Sequence, residues 1–449
     1  MKRVVVFGAG MIARPLIEYL LKHHLRVVVA SKEFSPAIDT LLEVSPQGEK
    51  VVVDVTDEAA VESLVSQAEV VVSLLPYTIH EKIVRACLKC RKHLVTTSYL
   101  REDIKAYQAE AEGKGIIILM ESGMDPGIDH MSACRFIDEV HSRNGVVERF
   151  YSYCGGLPAP NAANNPWKYK FSWSPRGVLL AARSGARYLE NDEVVEISPE
   201  HLFEHCVPRN INSHQLESFP NRDALPYQQK YHIEEAHSVF RGTLRYPGWG
   251  KTMKSLREMG LLEVQPLQGV KSLSRKEVLG RIFHRYPGRE VVEKVRSFLV
   301  NILDGESEEV FQRLQWIGLF GDETMETDTT TPLDFLNTLM FRKMQYQPGE
   351  EDMILMEHEF WVSYPTGKEK VHLTLEERGY PGKNGATAKC VSYPAAIATR
   401  LILEGKIKRA GTTIPVEKEI YQPILDELEE LGIRFIENRE KMGEHLLPG

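Results

Sequence analysis

The sequence predicts an α/β protein with three parts: an N-terminal Rossmann dinucleotide-binding domain, a second α+β domain with a mixed sheet, and an α-helical insertion domain. Three observations predict it. The chain opens on an apolar run that ends in a glycine turn, and strand-like and helix-like segments alternate up to residue 120. After residue 250 the pattern becomes helical, and from residue 351 it returns to a period of two. At 449 residues the chain also exceeds the roughly 250–300 residues that a single core sustains.

The first element is "KRVVVFGAGMIARPLIEYLLKHHLRVVVAS". Val4 to Phe7 form a short apolar strand, and Gly8-x-Gly10-x-x-Ala13 follows at once. Ile12, Leu16, Ile17, Leu20 and Leu21 then recur at helical spacing, and Val27 to Val29 close a βαβ unit. This is the fingerprint of a dinucleotide site. Gly8 makes the tight turn, Gly10 lets the backbone approach a pyrophosphate, Ala13 packs helix on strand, and the helix N-terminus faces the negative charge. An acid at the end of the second strand would read a ribose 2′-hydroxyl, but the chain has Ser31-Lys32-Glu33. Ser31 and Lys32 suit a 2′-phosphate, while Glu33 opposes one. NADP is favoured and NAD stays open.

Four further strands follow in "KVVVDVTD", "AEVVVSLLPY", "RKHLVTTSYL" and "KGIIILMESG". Ligands of open α/β sheets sit at the carboxyl ends of the strands, so Asp54, Leu75, Thr97, Ser98 and Tyr99 are candidates to line one cleft. "SGMDPGIDH", residues 122–130, leaves the last of these strands and belongs at the same cleft. Gly123 and Gly127 are expected to let the backbone pass close to cofactor and substrate, while Asp129 and His130 cap and anchor the next helix.

Residues 152–177, "SYCGGLPAPNAANNPWKYKFSWSPRG", are too irregular for a buried element, and Trp167, Tyr169, Phe171 and Trp173 are expected to serve either packing or a ligand wall. "FPNRDA" and "RGTLRY" place Arg222, Arg241 and Arg245 in turn-like settings, suited to gripping carboxylates. "TMKSLREMGLL", "RKEVLGRIF", "REVVEKVRSFLVNIL" and "EEVFQRLQWIGLF" give the helical insertion, with Trp316 and Phe320 in its core. "EDMILMEHEFWVSYPTGKEKVHLTLEE" reads as a β-hairpin turning at Pro365 to Lys368, and two helices follow it. The expected boundaries are 1–128 for the Rossmann domain, completed by helices at about 390–449; 129–245 and about 345–389 for the second domain; and about 246–344 for the insertion.

Composition narrows the function. A net charge of -8 argues against nucleic acid as the main partner, and no 18-residue apolar run exists to span a bilayer. Six cysteines without regular spacing fit a reducing compartment, and the N-terminus shows no signal-peptide pattern, so a cytoplasmic address is expected. Cys87 and Cys90 form a C-x-x-C inside a helix, with no second pair to complete a zinc site. Fifteen histidines contain no H-E-x-x-H, and His358 and His372 read as ordinary sheet residues; no metal is expected.

Read in order, "SLLPYTIH", "VTTSYL", "GMDPGIDH", "YCGGLPAPNAANNPWKYKFSWSPRGVLL", "PNRD" and "RGTLRY" resemble saccharopine dehydrogenase of the glutamate-forming type, the saccharopine reductase of lysine metabolism. The resemblance implies the reaction saccharopine + NAD(P)+ + water ⇌ glutamate + 2-aminoadipate 6-semialdehyde + NAD(P)H, in a homodimer. It puts the cofactor on the Ala9 to Ile12 turn (Ala9, Gly10, Met11, Ile12), between the fingerprint residues Gly8 and Ala13, and on Ser31, Lys32, Glu33, Asp54, Val55, Leu75, Thr97, Ser98, Met124, Asp125, Pro126 and Ser174. It puts the substrate on Ser98, Tyr99, Asp125, Arg222, Thr243, Leu244 and Arg245. Asp125, Tyr99 and Cys154 are the acid–base candidates, with no unique base among them, and Asp125 would face the reacting nitrogen. Two other readings remain: a carboxynorspermidine dehydrogenase-like reductase, and a sensor that binds NAD(P) without turnover.

Overall fold

A computed structural model describes residues 1–283, 290–303 and 305–442. Parts of the expected insertion (284–289 and 304) and of the expected C-terminal completion (443–449) lie outside the described residues. The chain divides into two units, one of residues 1–148, 229–235 and 352–449, the other of 149–228 and 236–351.

The first unit is built on a seven-stranded sheet. Its strands are β1 (Arg3–Phe7), β2 (Arg26–Ser31), β3 (Gly48–Val52), β4 (Val70–Ser73), β5 (His93–Thr96), β6 (Ile117–Leu119) and a last strand, Gly411–Thr413. They pair in parallel in the order 3-2-1-4-5-6, with Gly411–Thr413 outside β6. Helices cover a parallel sheet on both faces, which is why Val4 to Phe7, Val27 to Ala30 and Val70 to Val72 are buried throughout and read as unbroken apolar runs. The strand order reverses between β1 and β4, so the carboxyl edge there is the ligand-binding edge of the fold.

The expected C-terminal helices, Ala386–Leu403 and Lys418–Glu430, belong to this unit, and the Ser392 hydroxyl donates to the Ile12 carbonyl beside the glycine turn. The hairpin pairs Asp352–Tyr364 with Gly367–Gly379 in antiparallel register, ending at Tyr364 opposite Gly367. By compactness it groups with the first unit rather than the second. A strand that the sequence pattern does not announce, Ile436–Met442, pairs with the second arm of the hairpin. Its residues "IENREKM" are mostly exposed and charged, as suits an edge strand.

The second unit carries strands of a ten-stranded mixed sheet. Its strand β7 (Val146–Pro158, which starts in the first unit) runs parallel to Ser238–Arg245. Ser238–Arg245 is antiparallel to His214–Pro220, which is antiparallel to Val207–Ile211. The helices Trp249–Glu258, Arg275–Ile282, Glu290–Ile302, Ser307–Trp316 and Pro332–Lys343 fill the expected insertion. They have no core of their own: Met253, Val278, Leu299, Leu314 and Leu336 share one with Trp167, Tyr169, Phe171, Leu179 and Phe203. Trp316 and Phe320 pack against that core.

The structure corrects two loop readings. Residues 152–158 are strand, not loop, and Trp167, Tyr169 and Phe171 are 3%, 1% and 0% exposed, so packing is their role. Arg241 and Arg245 lie on the Ser238–Arg245 strand, not in turns.

Candidate functional site

The glycine turn of the first unit has the form that a diphosphate requires. Gly8 sits at φ +104°, where a Cβ would meet the Leu74 carbonyl at 3.3 Å, so the turn there needs glycine. At Gly10 a Cβ would meet nothing within 4 Å. The Ala13–Lys22 helix that follows has no side-chain cap at Ile12 and no acid in its first turn. Its N–H groups thus point at the turn without a competing carboxylate, and the residues fit a dinucleotide.

The remaining first-unit candidates occupy the same edge. Ser31 ends β2, with Lys32 and Glu33 exposed beyond it. Lys32 Nζ lies 3.5 Å from Asp54 Oδ2 just past the end of β3. The Thr56 N–H and hydroxyl, with Lys32, hold Asp54 below the usual carboxylate range. Val55, Leu75 and Thr97 to Tyr99 follow their strands half-buried.

"SGMDPGIDH" closes on itself after β6. Gly123 N donates to the Pro126 carbonyl at 3.0 Å, Ile128 N to Gly123 at 2.9 Å and Asp129 N to Met124 at 3.0 Å. The Asp125-Pro126 peptide is cis. Gly127 has φ +147°, and a Cβ on it would lie 2.0 Å from the Gly123 carbonyl oxygen. The two glycines let the turn meet itself, and a Cβ on Gly123 would lie 3.0 Å from Thr97. Asp129 Oδ1 accepts from Gly127 N at 2.6 Å and His130 N at 2.8 Å inside the first turn of the Ile128–Ser142 helix, whose N-cap Gly127 has no side-chain cap bond, so Asp129 ties turn to helix without serving as its N-cap. His130 anchors that helix by a different route, bridging Glu121 and Tyr231. At the apex Asp125 Oδ1 accepts from the Tyr99 hydroxyl at 2.9 Å, so two of the acid–base candidates form one pair.

Behind this pair lies a buried polar layer that pattern reading misses. His80, 1% exposed, contacts the Ser73 hydroxyl at 3.1 Å through Nδ1, and the Ser98 and Thr96 hydroxyls at 2.7 and 3.2 Å through Nε2. Burial, with Arg101 nearby, pushes His80 down to about 4, so it is neutral at physiological pH. Glu121 and His130 are buried as completely and meet at 2.6 Å. His80 and His130 end the stretches "SLLPYTIH" and "GMDPGIDH", but nothing local to the sequence says that either is buried.

In the second unit Arg245 has the most telling surroundings. It is 8% exposed, with its guanidinium 5.1 Å from the Tyr169 ring and 5.3 Å from the Trp249 ring. Its Nη1 donates to the Leu244 carbonyl at 2.7 Å, while Nε has no partner and no carboxylate pairs with it among the described residues. Its cross-strand neighbour Glu217 turns instead to the N–H groups of Gly248 and Gly250, at 2.9 and 2.6 Å. A buried cation without a counter-ion is costly in the free protein and suits an anionic ligand.

Cys154 lies on β7 opposite Thr243, 5% exposed. Leu244, on the same strand as Thr243, is fully buried. Arg222 is exposed at φ +58°, and Ser174 caps the Pro175–Ala181 helix by accepting from Gly177 N at 3.1 Å.

One group among the described residues has metal-ligand chemistry: Glu357, Glu359 and His372 on the hairpin. These groups pair with nearby charges, His372 with Glu357 at 3.3 Å and Lys370 with Glu359 at 3.7 Å. All six cysteines are free thiols, with Cys87 and Cys90 inside the His80–Cys90 helix as expected. No helix of the described residues is long and apolar enough to cross a membrane.

Two family models match the chain: the saccharopine dehydrogenase NADP binding domain over residues 4–119, and the saccharopine dehydrogenase C-terminal domain over residues 123–433. The saccharopine dehydrogenase [NADP(+), L-glutamate-forming] of Schizosaccharomyces pombe is 36% identical over 446 residues, covering 97% of this chain and 99% of its own. The alpha-aminoadipic semialdehyde synthase of Arabidopsis thaliana is 35% identical over 97% of this chain but only 45% of its own. Among solved structures, the apo saccharopine dehydrogenase (L-Glu forming) of Saccharomyces cerevisiae superposes with a TM-score of 0.85 at 34% identity, over 98% of this chain and all of the other.

Proposed function

Since this chain belongs to the saccharopine dehydrogenase family, we propose that it is the NADP-dependent, L-glutamate-forming saccharopine dehydrogenase of lysine metabolism. It is an oxidoreductase acting on a CH–NH donor, and it interconverts saccharopine, NADP+ and water with L-glutamate, 2-aminoadipate 6-semialdehyde and NADPH. The observation that carries the reading is the Tyr99 hydroxyl on Asp125 at 2.9 Å, at the carboxyl edge of the parallel sheet.

NADP, when bound, supplies the hydride acceptor. It would be held by Gly8 to Ala13 at the pyrophosphate and by Ser31 and Lys32 at the 2′-phosphate. Leu75, Thr97, Ser98 and the Met124 to Pro126 turn, which follow strands of the same sheet, would line its path. Saccharopine is a secondary amine carrying three carboxylates, for which Arg222 and Arg245 are the grips. The amine sheds its proton before hydride leaves the adjacent carbon, giving a cationic iminium that water attacks. Asp125 stabilises that cation, and the Tyr99 hydroxyl can pass a proton through the same hydrogen bond. The substrate amine is itself the principal acid–base group, and Cys154 is a further candidate. Ser174 is assigned to the cofactor on the resemblance alone.

Six free thiols support a cytoplasmic address. A homodimer through the second unit, implied by the resemblance, is to be checked by light scattering. The test of the function is absorbance at 340 nm with saccharopine and NADP, with glutamate measured among the products. Asp125→Asn should abolish most turnover; wild-type kinetics in that variant would remove Asp125 from the mechanism.

A further inference from the structure

Tyr99 projects from the segment that leaves β5, and nothing in that segment is regular secondary structure. Its backbone is nonetheless fixed on both sides of the tyrosine, by a single residue. Glu121 N donates to the Ser98 carbonyl at 3.0 Å, and Glu121 Oε1 accepts from Leu100 N at 2.9 Å. The next residue continues the ladder, Ser122 N to the Thr96 carbonyl at 3.0 Å. Glu121 thus brackets Tyr99, and it does so from an unusual backbone position: φ +57° in a residue that is not glycine. Such a conformation persists only where the surroundings over-determine it, and here they do.

The other carboxylate oxygen is held as firmly. Glu121 Oε2 meets His130 Nε2 at 2.6 Å, and His130 Nδ1 meets the Tyr231 hydroxyl at 2.5 Å. Glu121, His130 and Tyr231 are 1%, 0% and 3% exposed. Burial alone would raise Glu121, but the hydrogen bond and charge of His130, with Lys230 and the Leu100 N–H, hold it below the usual carboxylate range. A buried carboxylate with this many fixed partners has one orientation.

We propose that Glu121, oriented by His130, is a positioning residue that aims the Tyr99 hydroxyl at Asp125. It does not touch substrate or cofactor; it acts through the backbone on either side of Tyr99. The motif turn and the tyrosine are then one unit, because His130 belongs to the helix that the turn starts. The inference rests on the saccharopine reading, in which Tyr99 and Asp125 serve the chemistry.

The test is a double-mutant cycle on the full-length enzyme with saccharopine and NADP. Glu121→Ala should lower kcat at least about tenfold, while the dissociation constant for NADPH, read by fluorescence, stays within about twofold. Glu121→Gln keeps an oxygen for Leu100 N and should recover most of the loss. In a Tyr99→Phe background, where no hydroxyl remains to be aimed, Glu121→Ala should change kcat no further. Multiplying losses in the double variant, or a Glu121→Gln as slow as Glu121→Ala, would overturn the proposal. If Glu121→Ala does not fold, Glu121→Gln is run through the same cycle: its smaller loss should vanish in the Tyr99→Phe background, and a loss that persists there overturns the proposal. Wild-type enzyme that fails to reduce NADP with saccharopine sinks the function reading instead, and that control is read first.

Discussion

Replacing Arg245 by Met should impair catalysis without costing stability, and the structure gives both signs. In the free protein the guanidinium is 8% exposed, Nε is unpartnered, and no carboxylate balances the charge among the described residues. What holds it is one bond to the Leu244 carbonyl and the faces of Tyr169 and Trp249. Two cation–π contacts contribute about 1–2 kcal/mol in all, and desolvating an unpaired cation costs at least as much. Methionine has similar length, packs between the same rings and needs no counter-ion, so the unfolding free energy should stay within about 1 kcal/mol of wild type or rise. The substrate carboxylate, in contrast, loses a charge-assisted interaction in a water-poor site, about 2–3 kcal/mol, which is roughly 30–150-fold in kcat/KM at tenfold per 1.4 kcal/mol. The assay is initial rate at 340 nm against saccharopine with NADP saturating, alongside denaturant unfolding of the same preparation. A wild-type kcat/KM for saccharopine would refute the carboxylate role, and an unfolding free energy several kcal/mol lower would refute the unpaired-cation argument.

Gly127→Ala should destabilise the protein by more than about 3 kcal/mol, because a Cβ 2.0 Å from the Gly123 carbonyl at φ +147° cannot be relieved without opening the turn; the melting temperature checks it. His80 should make stability fall in acid. Its folded value of about 4 lies below the unfolded value near 6.5, so between these values only the unfolded chain takes the proton. Stability from this group is therefore flat above about pH 7, about 2 kcal/mol lower at pH 5, and lost in full below pH 4. Urea unfolding at pH 7.5 and 5.0 should show that loss in wild type and its absence in His80→Gln; equal losses in both would refute it.

The Rossmann half was legible because its physics is local. Strands buried on both faces must be apolar throughout, and the turn after β1 needs Gly8 at a positive φ, so both signals stand in the primary sequence. The hairpin was legible from its period of two. Strand β7 was not, because "YCGGLP" looks like loop. A Cβ on Gly155 would lie 2.8 Å from Leu244, and one on Gly242 would lie 2.9 Å from Tyr153, so these glycines let two strands close up rather than break them. The burial that leaves Arg245 without a counter-ion, and that neutralises His80, is assembled from distant segments and has no local sign.

The composition of residues 122–130 follows from the same distinction. Two glycines, a proline and two acids suggest a loop shaped for a ligand, yet the glycines, the proline and Asp129 all have partners or packing duties inside the turn or at its root. Gly127 makes room for Gly123, Gly123 leaves room for Thr97, the Pro126 carbonyl receives Gly123 N, and Asp129 ties Gly127 to the helix start. The turn is specified by what it must do to itself, and the result is that Asp125 stands on a backbone with little freedom. A charge that must stabilise a developing cation works best when it need not reorganise. If Asp125 acts as proposed, the internal bonds of the turn serve the chemistry without any of them reaching the substrate.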